Sequence, residues 1–232
     1  MGAGYRPEEA KITEELCNGV QRVAQPVPFL LKSPSGLSVS DGGNCYACAL
    51  QCVLNHFGVA PGTDREAVFQ AIERFKSKYY QSETEHISQS CHGMEIALNA
   101  VPELEFETNA VPTFKFDKIY GAANGLSYNR GFLDNLEEKI KSGHLIISCV
   151  FHNRDRQERL MPEKDHWVVI DGVRTVRTPF YREDWTSCSA RIDRQFRFVD
   201  SSTASAGIYW VEEFDLIRFF GCANSYFVRK RS

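Results

Sequence analysis

The chain lacks an excess of basic residues: 27 Lys and Arg stand against 30 Asp and Glu, a formal net charge of -3. Nucleic acids are gripped by concentrated positive charge, so no nucleic-acid partner is expected. No uninterrupted apolar run approaches the length of a bilayer crossing, so no membrane span is expected either. The first residues, Met1-Gly2-Ala3-Gly4-Tyr5-Arg6, carry no apolar segment of the kind a Sec signal needs. That predicts a cytoplasmic protein, or one exported without such a signal. Glycine-rich phosphate and dinucleotide loops are missing, as are internal repeats and low-complexity tracts, and no cofactor is expected. Zinc is suggested by Cys45, Cys48, Cys52 and the pair Cys91-His92. The second Cys-x-x-Cys of a structural knuckle is absent, however, and the first runs directly into Ala49-Leu50. No metal site is expected.

What is present suits a globular protein with a sizeable core. Of 232 residues, 43% are hydrophobic and 25% charged, which predicts one main domain over residues 36–232 behind an N-terminal extension, residues 1–35. The extension reads as helical, since Ile12, Leu16, Val20 and Val23 recur at helical spacing before Pro26, and it has the look of a removable pro-segment. Eight cysteines could form four disulfides in a secreted chain. Several fall inside predicted helices and strands, Cys149 among them, and there they read as small hydrophobes of a protein folded in a reducing compartment.

The first half is predicted helical. Leu50, Val53, Leu54 and Phe57 form one apolar face of a helix from Cys45 that Gly58 ends. Thr63-Asp64-Arg65-Glu66 is a capping box opening another helix. A shorter one follows Ser90 through Met94, Ile96 and Leu98, and a further one runs from about Phe132 to Gly143. The second half reads as strands at 144–151, 166–173, 194–200 and 225–229, with a hairpin or excursion over Arg174 to Asp193 and a last helix from Trp210 to Phe219. Helices followed by strands define an α+β class.

The chemistry concentrates at Gly42-Gly43-Asn44-Cys45-Tyr46-Ala47-Cys48. A glycine turn delivers Cys45 to a helix N-terminus, where unpaired N–H groups and the helix dipole favour a thiolate. A thiolate nucleophile needs a nearby imidazole, a group to orient it and donors for the oxyanion. His166 stands where a loop enters a strand and is the chosen base, with His144 its rival; His56 lies on the wrong side of the cleft. Asp200 closes a strand placed beside that of His166 and is the chosen orienting group. Asp171 is its rival, but strand alternation puts His166, Val168 and Ile170 on one face and Asp171 on the other. Cys48 and Trp167 are assigned to the wall of the site, and Cys52 to packing.

These residues resemble the papain-like cysteine peptidase superfamily. Gly43-Asn44-Cys45-Tyr46-Ala47 is similar to its Gly-Ser-Cys-Trp-Ala nucleophile motif. Asp165-His166-Trp167-Val168-Val169-Ile170-Asp171-Gly172 resembles the histidine strand of bacteriocin-processing peptidases and effector proteases, and Phe198-Val199-Asp200-Ser201 resembles their Asp-terminated strand. The resemblance implies a papain-like fold, a helical N-terminal lobe carrying the nucleophile helix packed on an antiparallel β-sheet lobe. It implies a Cys45-His166-Asp200 triad attacking an amide in a protein or peptide. The likeness of Asn44-Cys45-x-x-Cys48-Ala49 to papain-fold toxin domains adds glutamine deamidation in a host or competitor protein as an alternative. The upstream glutamine that serves the family as oxyanion donor is replaced here by Val39 or Ser40, which leaves Ser40, Asn44 and the backbone N–H of Cys45. Asp41-Gly42-Gly43-Asn44-Cys45 also resembles the motif of arylamine acetyltransferases, but His166 follows much later than their histidine does. A catalytically silent binding protein of the same fold is the third reading.

Overall fold

The computed structural model describes residues 10–23, 45–59, 94–95, 97–99, 101–110, 123–151, 165–181, 188–201, 207–213 and 220–232. They form an α+β architecture on one antiparallel sheet. Its strands are β1 (Lys11–Cys17), β2 (Leu104–Ala110), β3 (Leu145–Phe151), β4 (Asp165–Tyr181), β5 (Cys188–Asp200), β6 (Ile208–Glu212) and β7 (Phe220–Lys230), with helices α1 (Cys45–Phe57) and α2 (Ala123–Lys141). The seven-stranded sheet runs β2-β7-β3-β4-β5-β6, and β1 also pairs with β4. On the β3 side, β4 is shared lengthwise: residues 165–170 pair with β3, and residues 172–177 pair with β1.

Central position explains the composition of β3. Leu145 through Val150 are all buried, because both faces of the strand are covered, and the sequence is accordingly a continuous apolar run rather than an alternation. One face of the sheet packs Leu145, Ile147, Cys149, Trp167, Val169, Val199, Tyr226 and Val228 against Ala49, Leu50, Val53 and Leu54 of α1 and against Met94 and Leu98. The other face packs Ile146, Val150, Val168, Ile170, Phe198 and Phe227 against Phe132, Leu133, Leu136 and Ile140 of α2. Both helices end alike. Val59 N–H bonds the Leu54 carbonyl with Gly58 at φ +59°, and His144 N–H bonds the Lys139 carbonyl with Gly143 at φ +83°. These are left-handed glycine stops that satisfy the last carbonyls.

A β-bulge at Asp171 shifts the β4–β5 register between Ile170 and Gly172. The extra residue moves Val173 onto the same face as Ile170, so the α2-facing core continues past the bulge. Asp171 itself is fully buried and turned toward the segment after β1. Its carbonyl accepts from Asn18 N–H and its Oδ2 from Val20 N–H, both at 2.8 Å. Arg197 faces it, with Nε 3.1 Å from Oδ1 and Nη2 donating to the Val20 carbonyl. Burial holds the Asp171 carboxyl above its ordinary range despite these partners. Asp171→Ala leaves the Arg197 charge and the Val20 N–H without this acceptor, so it is expected to cost about 3 kcal/mol of stability in urea unfolding. Asp171→Asn, which keeps an acceptor for Val20, is expected to cost less.

The structure corrects several sequence expectations. Lys11–Cys17 is a strand, not part of a helix. The i, i+4 spacing of Ile12 and Leu16 is incidental, since Ile12 is exposed and only Leu16 packs onto a core. Ladder bonds to the free edge of β4, not an apolar stripe, hold the segment. Residues 208–212, including Trp210, form β6 along β5 rather than the start of a helix, and residues 214–219 of the expected helix lie outside the described residues. Arg174 stacks on the Trp210 ring at 4.2 Å, a cation–π contact across strands. β2 was not expected at all. The excursion from Arg174 to Asp193 is the outer half of the β4–β5 hairpin, paired as far as Tyr181 and Cys188. α2 begins at Ala123, nearer the N-terminus than Phe132. Met94, Glu95 and residues 97–99 are helical. The capping box at Thr63 and residues 24–44 lie outside the described residues.

Candidate functional site

Three elements converge. Cys45 is the first residue of α1, His166 the second of β4, and Asp200 the last of β5. Pairing of β4 with β5 sets Asp200 opposite Val168, one strand over and two residues along from His166. That diagonal lies within reach of an imidazole. His166 Nε2 meets Asp200 Oδ1 at 2.6 Å, a charge-assisted contact with Asp200 fully buried. Cys45 lies within hydrogen-bonding reach of the same imidazole, whose Nε2 is engaged by Asp200. Cys45 is itself buried.

Opposing influences act on His166. Burial favours the neutral ring, but hydrogen bonds to Asp200 and Cys45 outweigh it and raise the pKa from the ordinary 6.5 to about 9. The ring thus sits between a buried carboxylate on one side and the Cys45 sulfur on the other.

The carboxylate has a second anchor. Tyr209 of β6 donates its hydroxyl to Asp200 Oδ2 at 3.0 Å, and its phenol is held protonated well above the ordinary range by burial and by the adjacent Asp200 charge. Behind this contact, Asp200 N–H donates to the Gly207 carbonyl at 2.7 Å. Gly207 has φ +83°, a backbone conformation in which a side chain is strained, and a Cβ there would also press on the Arg22 side chain. Sequence reasoning missed Tyr209. The signal available was the β-type run Ile208-Tyr209-Trp210-Val211, which the expected helix from Trp210 cut in two.

The remaining candidates separate clearly. Cys48 is fully buried one turn into α1, and Trp167 is buried in the core beneath α1, stacked on Tyr226. Cys52 Sγ accepts from Val23 N–H at 3.2 Å, and burial pushes its thiol up to about 11, which makes it an inert packing group. His144 sits at the other end of β3 from Val150, the partner of His166. It contacts Ser142, and burial with Lys139 and Arg229 nearby lowers its pKa. His56 is exposed at the end of α1. Asp171 belongs to the bulge described above. Ser40 and Asn44, the expected oxyanion donors, lie outside the described residues, as do Cys91 and His92. Among the described residues, no three His, Cys, Asp or Glu side chains are grouped to hold a metal, and no helix is long and apolar enough to cross a membrane.

The fold and site thus define an α+β protein on an antiparallel sheet, with a cysteine at a helix N-terminus bonded to a histidine that a buried carboxylate holds. No family model matches the chain, and no curated protein matches it.

Proposed function

We propose that the chain is a papain-like thiol hydrolase that attacks an amide bond in a protein or peptide. The observation that carries the reading is the 2.6 Å contact of His166 Nε2 with Asp200 Oδ1 on an imidazole whose other side is bonded to Cys45. His166 Nδ1 takes the proton of the Cys45 thiol, giving an imidazolium beside a thiolate. The sulfur attacks the carbonyl carbon and the π electrons move onto oxygen. That oxyanion is met by N–H groups at the start of α1, beginning with that of Cys45 itself. As the tetrahedral adduct collapses, the Nδ1 proton passes to the departing nitrogen and a thioester remains. The neutral imidazole then takes a proton from water as the hydroxyl attacks the thioester. Release of the acid restores thiolate and imidazolium. Asp200 stays ionised throughout and keeps the ring oriented.

The papain-like arrangement, a nucleophile helix against a sheet bearing the base, is supported by α1 lying on the face of β3, β4 and β7. A glutamine side-chain amide offers the same carbonyl and the same leaving nitrogen, so deamidation uses identical steps. Incubation of the purified protein with a peptide library containing glutamine tests the proposal. New peptide termini mark hydrolysis of the chain, and ammonia with intact peptides marks deamidation. Either product is expected to vanish in Cys45→Ala. Turnover that survives in that variant would contradict the reading.

A further inference from the structure

We infer that Tyr209 is a positioning residue of the site, acting on His166 only through Asp200; the inference rests on the thiol–imidazole reading above. A carboxylate with one oxygen bonded to a histidine can still rotate about its own axis and carry the ring with it. Asp200 is denied that freedom. Oδ1 meets His166 Nε2 at 2.6 Å, and Oδ2 accepts from Tyr209 Oη at 3.0 Å. The carboxylate is fully buried, so water does not substitute for a lost donor.

The sheet explains why residue 209 has this role. β6 pairs with β5 so that Tyr209 lies opposite Phe198 and Ile208 opposite Val199. Tyr209 and Asp200 therefore project from the same face, diagonally across adjacent strands, and the ring reaches along the strand toward the carboxylate. The ring is also fixed from behind: it packs on Phe198 with centroids 5.7 Å apart. A backbone bond from Asp200 N–H to the Gly207 carbonyl closes the two strands just beyond the contact. The hydroxyl is thus delivered by register and packing, not by a mobile loop. Besides Asp200, Cys45 acts on His166.

The consequence has a definite sign. Removing the hydroxyl leaves the Asp200 charge less well solvated. The penalty is largest when His166 is neutral, because the imidazolium charge then no longer offsets that of the carboxylate. The proton on the His166–Asp200 pair is therefore held more tightly without Tyr209, whereas it is held less tightly without the Asp200 charge.

NMR titration of the His166 ring tests this without any substrate, in the full-length protein with Tyr209→Phe, Asp200→Asn and the double variant. Tyr209→Phe is expected to strengthen proton binding by roughly three- to tenfold, moving the titration above its starting point. Asp200→Asn is expected to move it downward, and adding Tyr209→Phe to Asp200→Asn is expected to change nothing further. An unmoved titration in Tyr209→Phe overturns the inference, as does an effect that persists in the Asp200→Asn background. Should Tyr209→Phe fail to fold, 3-fluorotyrosine placed at position 209 keeps the ring and gives a stronger donor. It is expected to weaken proton binding at His166, and no change there overturns the inference equally. Failure of the hydrolase reading is a separate result, since it shows in Cys45 chemistry and leaves this titration intact.

Discussion

Replacing Cys45 by alanine is expected to reduce amide hydrolysis by about a thousandfold or more while leaving the fold in place. The sulfur is the only protein atom in the proposed sequence that bonds to the substrate carbon, so no neighbouring group substitutes for it. Cys48 does not inherit the role. It is fully buried a turn deeper in α1, away from the N–H groups that meet an oxyanion at the helix start. The structural consequence is small by comparison, because alanine is a strong helix former and the change removes one sulfur atom. Circular dichroism and a thermal melt should therefore match the parent protein closely. Residual turnover near the parent level would place the chemistry elsewhere.

Asp200→Ala is expected to damage both stability and activity. The substitution leaves His166 in a desolvated pocket without its counter-charge and leaves the Tyr209 hydroxyl without an acceptor. Removing one member of a buried pair in this way costs about 3–5 kcal/mol, read as a lowered midpoint in chemical unfolding. With the carboxylate gone, burial dominates the imidazole and pulls its pKa down from about 9. The proton donor for the leaving nitrogen is then largely lost at neutral pH, and turnover is expected to fall by roughly a hundredfold to ten-thousandfold.

The intact pair also imposes a pH dependence. The folded pKa of His166, about 9, lies above its ordinary 6.5, so the folded state binds the proton more tightly than the unfolded chain. The pair's contribution to stability is complete below about pH 6.5 and is lost as the pH rises through about 9. Unfolding free energy measured across that window should decline in the parent protein, and this component of the decline should be absent in Asp200→Ala.

Parts of this arrangement are written plainly in the chain. Gly42-Gly43-Asn44 before an apolar face at Leu50, Val53 and Leu54 marks the start of α1, and Gly58 marks its end. The buried runs of β3 and β4 show as continuous apolar segments because both sheet faces are covered. Asp200 stands out because it ends such a run with a charge. Other parts depend on pairing that local spacing does not encode. β1 borrows its order from the free edge of β4, so its own residues carry a misleading helical rhythm. The bulge at Asp171 exists to anchor Asn18 and Val20, contacts that join residues distant in the chain. β2 did carry a local signal, since Leu104 and Phe106 alternate with Glu105 and Glu107, a period-two pattern that its short length obscured. Tyr209 reaches Asp200 only through the β5–β6 register, so neither residue betrays the other in the sequence.

Activation of Cys45 by His166 can be read from its rate of alkylation. Brief exposure to iodoacetamide at neutral pH, followed by peptide mass spectrometry, compares each cysteine within one molecule. Cys17 serves as the internal reference, a half-buried thiol whose pKa is raised chiefly by burial. Cys45 is expected to be alkylated at least about tenfold faster than Cys17, and His166→Ala is expected to abolish the advantage. Labelling of Cys45 no faster than Cys17, or a fast rate that His166→Ala leaves unchanged, would contradict that activation.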